Sequence, residues 1–106
     1  MTKVKPAIFI YEFAANPHHL KEICAGLEEE GLPFEIARYT GGNAEALAHL
    51  AASNSLLTVG IGITQTQAAL SIRNLAKPIF AINPTSEACR KLGTNAARAV
   101  KGGVFI

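Results

Sequence analysis

The run Leu56-Leu57-Thr58-Val59-Gly60-Ile61-Gly62-Ile63 is almost continuously apolar and β-branched. A strand with one wet face would alternate polar and apolar residues, so this run reads as a central parallel strand covered on both sides. Its two glycines invite comparison with a dinucleotide-binding fingerprint. The third glycine is missing, however, and the pair lies inside the strand instead of in a strand-to-helix turn. Gly60 and Gly62 are better explained as places where a neighbouring backbone or helix comes close to the sheet.

On the N-terminal side, Val4 to Tyr11 forms a first apolar strand, and Asn16-Pro17 supplies a helix cap followed by a proline at the first helical position. Leu20, Ile23, Cys24 and Leu27 recur at helical spacing until Gly31 and Pro33 stop the helix. A second strand follows over Phe34 to Tyr39. Gly41-Gly42-Asn43 then makes a turn and a cap for a helix from Ala44 to about Ser53, with Leu47, Leu50 and Ala51 facing inward.

On the C-terminal side, Gln67 to Leu75 has the alternation of a strand, Ala68, Leu70 and Ile72 against Ala69, Ser71 and Arg73, although its Ala and Leu content would also suit a helix. A short strand is expected over Ile79 to Ile82. Asn83-Pro84 repeats the cap-plus-proline device before a last helix that runs to about Lys101, with Ala88, Leu92, Ala96 and Val100 inside and Arg98 and Lys101 complementing its dipole. This order of elements predicts one α/β domain over residues 1–106. The expected architecture is a three-layer α/β/α sandwich around a mixed, mostly parallel five-stranded sheet with one antiparallel strand.

With 49% hydrophobic and 17% charged residues, the 106-residue chain belongs among compact globular domains. A net charge of +2, spread along the sequence, gives no one-sided basic field for nucleic acid or an anionic membrane. Cys24 and Cys89 lie in helical patterns with no metal-ligand spacing and read as buried free thiols. Met1 to Ala7 lacks the apolar run and cleavage site of a secretory signal, so a cytoplasmic location is expected.

Catalytic apparatus is missing from the pattern. There is no phosphate-binding GxxxxGK[ST] loop, no nucleophile motif, and no Asp in the chain. His18 and His19 are adjacent at a helix start and point about 100° apart, which suits no common two-histidine metal motif; they and His49 read as surface or packed residues. The most informative oddity is Glu28-Glu29-Glu30, carboxylates in the last turn of the first helix, where the negative end of the dipole disfavours them by about 0.3–1 kcal/mol each. Glu29 lies opposite the Leu20/Ile23/Leu27 stripe, on the face of Glu22, and is therefore expected to meet water or another molecule.

Asn16-Pro17-His18-His19 and Gly26-Leu27-Glu28-Glu29-Glu30-Gly31-Leu32-Pro33 resemble the first helix of the small subunits of B12-dependent diol and glycerol dehydratase reactivating factors. The likeness continues through Tyr39-Thr40-Gly41-Gly42, Val59-Gly60-Ile61-Gly62-Ile63 and Lys91-Leu92-Gly93-Thr94-Asn95-Ala96 to Val100-Lys101. It departs at the turn Thr64-Gln65-Thr66.

The resemblance implies a fold similar to the dehydratase's own medium subunit and to the anticodon-binding domains of some tRNA synthetases. It implies a non-catalytic subunit with no cofactor of its own. Its partner would be an actin-like ATPase large subunit that carries Mg²⁺ and ADP or ATP, in a heterotetramer. Exchange with the dehydratase's medium subunit would then release damaged cobalamin. Clients acting on propane-1,2-diol and on glycerol are covered alike, inside or outside a bacterial microcompartment. In such proteins a glutamate of this segment is a reach-over ligand to the large subunit's magnesium; Glu29 is the matching position, with Glu28 and Glu30 as neighbouring alternatives. Competing readings are a small nucleic-acid-binding module, disfavoured by the lack of a basic aromatic face, and a ligand-binding domain using Glu12 to Asn16 and Thr64 to Thr66.

Overall fold

The computed structural model describes residues 5–106. Five strands and three helices follow in the order β1 (Ile8–Phe13), α1 (Pro17–Glu29), β2 (Phe34–Arg38), α2 (Ala44–Asn54), β3 (Val59–Thr64), β4 (Ala68–Ile72), β5 (Phe80–Ile82) and α3 (Ser86–Lys101). The sheet order is β2-β1-β3-β4-β5. β1 is parallel to both β2 and β3, and β4 is antiparallel to both β3 and β5, so β4 alone runs against the rest. This is the mixed three-layer architecture expected, with Gln67 to Leu75 resolved in favour of a strand.

The alternation of side chains across each strand divides the core in two. Ile8 and Ile10 of β1, Val59, Ile61 and Ile63 of β3, and Ala68 and Leu70 of β4 meet Ile23 and Leu27 of α1 and Cys89, Leu92, Ala96 and Ala97 of α3. On the opposite face, Tyr11, Leu47 and Ala51 pack with Phe9, Phe13, Ala37 and Tyr39, while Ala44, Ala48 and Ala69 form a small neighbouring cluster.

Gly60 and Gly62 explain how α2 settles there. A Cβ on Gly60 would lie 2.2 Å from the Ala52 nitrogen, and one on Gly62 would lie 2.1 Å from the Ala44 carbonyl oxygen. The helix rests directly on the strand backbone, as the sequence reading anticipated. Because that contact selects the small ridge Ala44, Ala48, Ala51 and Ala52 beside Leu47, Leu50 is turned outward and is 40% exposed. That corrects its expected inward place.

Other boundaries move for identifiable reasons. β1 starts at Ile8, whose N–H bonds the Pro33 carbonyl, and runs on to Phe13 because Glu12 and Phe13 keep partners in Arg38 and Thr64; Val4, placed in this strand by the sequence, lies outside the described residues. Leu56 and Leu57 belong to a turn that ends at Thr58 with φ 64°, so β3 begins at Val59. α1 has the expected Asn16 cap. Its C-terminus closes with Leu32 N–H on the Leu27 carbonyl and Gly31 N–H on the Glu28 carbonyl, Gly31 having φ 75°.

α3 is capped by Thr85 and not by Asn83: the Thr85 hydroxyl accepts from Ala88 N–H at 3.1 Å, because Asn83 and Pro84 are used in carrying the chain from β5 to the helix layer. Its buried face is centred on Cys89, Leu92, Gly93, Ala96 and Ala97, leaving Ala88 and Val100 only half-buried.

A Gly62→Ala substitution should destabilise the protein by about 3 kcal/mol, since neither the strand nor the helix backbone can withdraw cheaply. Gly41→Ala, where an added Cβ meets nothing within 4 Å, should change stability by less than about 0.5 kcal/mol. Urea unfolding of the two variants side by side measures the difference.

Candidate functional site

α1 and α3 lie side by side and run in the same direction: His18 meets Ser86 at their starts, and Glu30 meets Lys101 at their ends. Two glycines permit this. A Cβ on Gly26 would fall 2.4 Å from the Arg90 carbonyl oxygen and one on Gly93 would fall 2.1 Å from the Ile23 carbonyl oxygen. The acidic end of α1 is therefore laid against a basic strip of α3.

The carboxylates of Glu28, Glu29 and Glu30 have different surroundings. Glu30 takes Lys101 Nζ at 3.0 Å and Arg98 Nε at 3.7 Å, and the same lysine donates to the Glu30 carbonyl at 3.0 Å. The hydrogen bond from Lys101 holds its carboxyl below the usual carboxylate range. Glu29 accepts a hydrogen bond at Oε1 from Arg90 Nη1, while Arg90 Nη2 reaches Glu22 Oε1 at 3.3 Å. The Glu29 side chain remains 60% exposed. Glu28 is exposed and has no ion-pair partner among the described residues.

Glu29 thus faces solvent, as its helical position required, yet it also has a partner in its own chain. Arg90 escaped the sequence reading. The signal was half visible: Glu22 and Glu29 are seven residues apart on one face, a spacing that asks for a cation, but only the packing of α3 on α1 says which one.

The remaining candidates are not brought together. Glu12, although buried, is committed to Arg38 at 3.0 Å and to Ala15 N–H at 3.3 Å. Thr64, Gln65 and Thr66 border a cleft of about 390 Å³ at the carboxyl ends of β1 and β3, next to Phe13, Asn43 and Gln67, and none of its lining residues is ionisable. His18 bonds Ser86 at 2.8 Å, and His49 is fully on the surface.

No group of three or more His, Cys or Glu among the described residues could hold a metal ion. No helix among them is long and apolar enough to cross a membrane. Burial pushes both thiols up to about 11, with Glu28 adding to the effect at Cys24 and Glu22 at Cys89.

These features define a class of protein: an α/β domain whose charged side chains are gathered along a helix pair on its surface, where glutamates of α1 meet Arg90, Arg98 and Lys101 of α3. The family described as dehydratase medium subunit matches residues 5–105. The small subunit of the propanediol dehydratase-reactivating factor of Citrobacter freundii is 37% identical, with 94% of this chain and 90% of that protein covered.

Among solved structures, a diol dehydratase-reactivating factor complexed with ADP and Mg²⁺ superposes with a TM-score of 0.90 at 34% identity, over 97% of this chain and 99% of that one. A glycerol dehydratase reactivase also superposes with a TM-score of 0.90, at 32% identity over 96% and 97% of the two chains. The chain belongs to the family of medium-subunit-like proteins that includes the small subunits of diol and glycerol dehydratase-reactivating factors.

With thiol values of about 11, alkylation of Cys24 and Cys89 by iodoacetamide at pH 8 should run more than about 100-fold slower than that of a free cysteine, because only the thiolate reacts. Mass spectrometry of the native and urea-unfolded protein gives the two rates.

Proposed function

We propose that this chain is the non-catalytic small subunit of a reactivating factor for a B12-dependent diol or glycerol dehydratase. It pairs with an ATPase large subunit, and that subunit exchanges it for the dehydratase's medium subunit so that damaged cobalamin leaves. The observation that carries this reading is a double likeness. One chain matches a family described as the dehydratase medium subunit and, over nearly its whole length, the small subunits of reactivating factors.

A protein that resembles both a component of the client and a component of the reactivator is built to compete for one surface. Such competition needs no reaction at its own residues. It needs two complexes of nearly equal free energy, so that the nucleotide state of the partner can reverse the preference. The location that suits this work is the cytoplasm, within a microcompartment or free of one.

Glu29 is the residue that reaches the partner's magnesium. Mg²⁺ is commonly held by one or two carboxylates together with nucleotide phosphates, so a single protein oxygen from this chain meets its demand. Glu29 offers that oxygen: its side chain is exposed, and Arg90 engages Oε1, leaving Oε2 without a hydrogen-bond partner among the described residues. Bound there, the ion would supply an electrostatic bridge between the nucleotide phosphates and α1. Glu30 is tied to Lys101 and Arg98, and Glu28 has no ion-pair partner among the described residues. The chain's own part is to present the carboxylate at a fixed place.

Mixing the chain with its large subunit, ADP and Mg²⁺ should give a heterotetramer in native mass spectrometry. Glu29→Gln should weaken assembly about tenfold in the presence of Mg²⁺. Assembly indifferent to this change would remove Glu29 from the interface, and failure to pair at micromolar concentration would overturn the reading altogether. A salt-dependent affinity for RNA would favour a nucleic-acid module instead.

A further inference from the structure

We infer that Arg90 is the positioning residue for Glu29, fixing the carboxylate from α3 so that its second oxygen is aimed outward for a divalent cation. This rests on the reading of Glu29 as a ligand offered across an interface.

The guanidinium is held at both ends of its fork. Nη1 donates to Glu29 Oε1, and Nη2 lies 3.3 Å from Glu22 Oε1, two carboxylates on one face of α1. The Arg90 main chain is fixed as well. Its carbonyl oxygen faces Gly26 at a distance that excludes any Cβ there, and it accepts the Thr94 hydroxyl at 3.1 Å. Nε is buried without a hydrogen-bond partner, so the two carboxylates alone set the plane of the fork.

An arginine suits this task because its planar fork can bridge two acceptors, whereas a lysine ammonium is a single point of charge on a flexible stem. Carboxylates that ligate metals are themselves hydrogen-bonded by outer partners, and loss of such a partner commonly lowers metal affinity about 10- to 100-fold. Glu29 already has its outer partner. An exposed glutamate without one would have to be ordered at the moment of binding, which weakens association.

Arg90→Lys separates geometry from charge, since it keeps the cation and removes the fork. Complex formation between the chain and its large subunit with ADP is followed as MgCl₂ is raised, for the parent, Arg90→Lys, Glu29→Gln and Lys91→Gln. The last breaks only the exposed Lys91–Glu87 pair on the same helix.

Arg90→Lys should raise the Mg²⁺ midpoint about tenfold, leave assembly in EDTA and the melting temperature unchanged, and contrast with Lys91→Gln, which should not move the midpoint. If Glu29→Gln moves the midpoint and Arg90→Lys does not, Arg90 has no positioning role. If Arg90→Lys weakens assembly equally with and without Mg²⁺, its role is structural and the inference fails. If Glu29→Gln leaves the midpoint where it was, the reading of Glu29 as a ligand fails and carries this inference with it.

Discussion

The carbonyl of Ile23 lies where a side chain on Gly93 would have to begin, and much of the molecule follows from that approach of two helix backbones. Parallel helices on one face of a sheet place their C-terminal ends together, so the negative ends of two dipoles are neighbours. That arrangement is unfavourable for a run of glutamates on α1 unless α3 brings cations. It brings Arg90, Arg98 and Lys101. The anomaly visible in the sequence, carboxylates at the wrong end of a helix, is resolved by cations from a helix distant in sequence, with Arg90 61 residues from Glu29 and Lys101 71 residues from Glu30, and the close glycine contact is what puts the charges within reach.

The opposite face obeys the same rule with a different result. α2 lies on Gly60 and Gly62 with a ridge of alanines, so the helix-to-sheet distance is short and the interior fills with backbone contact. Close approach raises dispersion contact per residue and leaves little room for a ligand between the layers. The cleft at the carboxyl ends of β1 and β3, beside Thr64 to Gln67, has no acid or base in its lining. A scaffold packed in this way can offer a stable outline to a partner.

The layer order and the strand directions could be read from residue pattern because each rests on a local device. Asn16-Pro17 and Asn43 cap helices wherever they occur before a helical stripe, Gly31 ends one, and an apolar run with glycines at alternate positions marks a covered strand. What escaped was decided by packing between elements distant in sequence. Leu50 is as apolar as Leu47, and only the demand of Gly60 and Gly62 for small neighbours sends one inward and the other out. Thr85 takes the cap from Asn83 because the crossing from sheet to helix layer uses two more residues than local signals reveal. Glu29 was found by its face on the helix. Arg90 was not, since no local pattern couples residue 90 to residues 22 and 29.

Three consecutive carboxylates with three fates form a graded set, and the grading bears on which one can act. Glu30 is held by two cations and by its own capping position, so drawing it toward another ion would break interactions already made. Glu28 is unencumbered but also undirected, and fixing a free glutamate side chain gives up about 1.5–2 kcal/mol of rotamer freedom. Glu29 stands between these limits: one oxygen is restrained by a guanidinium anchored to a second carboxylate, and the side chain remains 60% exposed. On the function proposed above, an interface that forms and dissolves with a nucleotide cycle would be served by such a side chain: it would be ordered before contact, and its internal partner would remain to receive the charge when the external one withdrew.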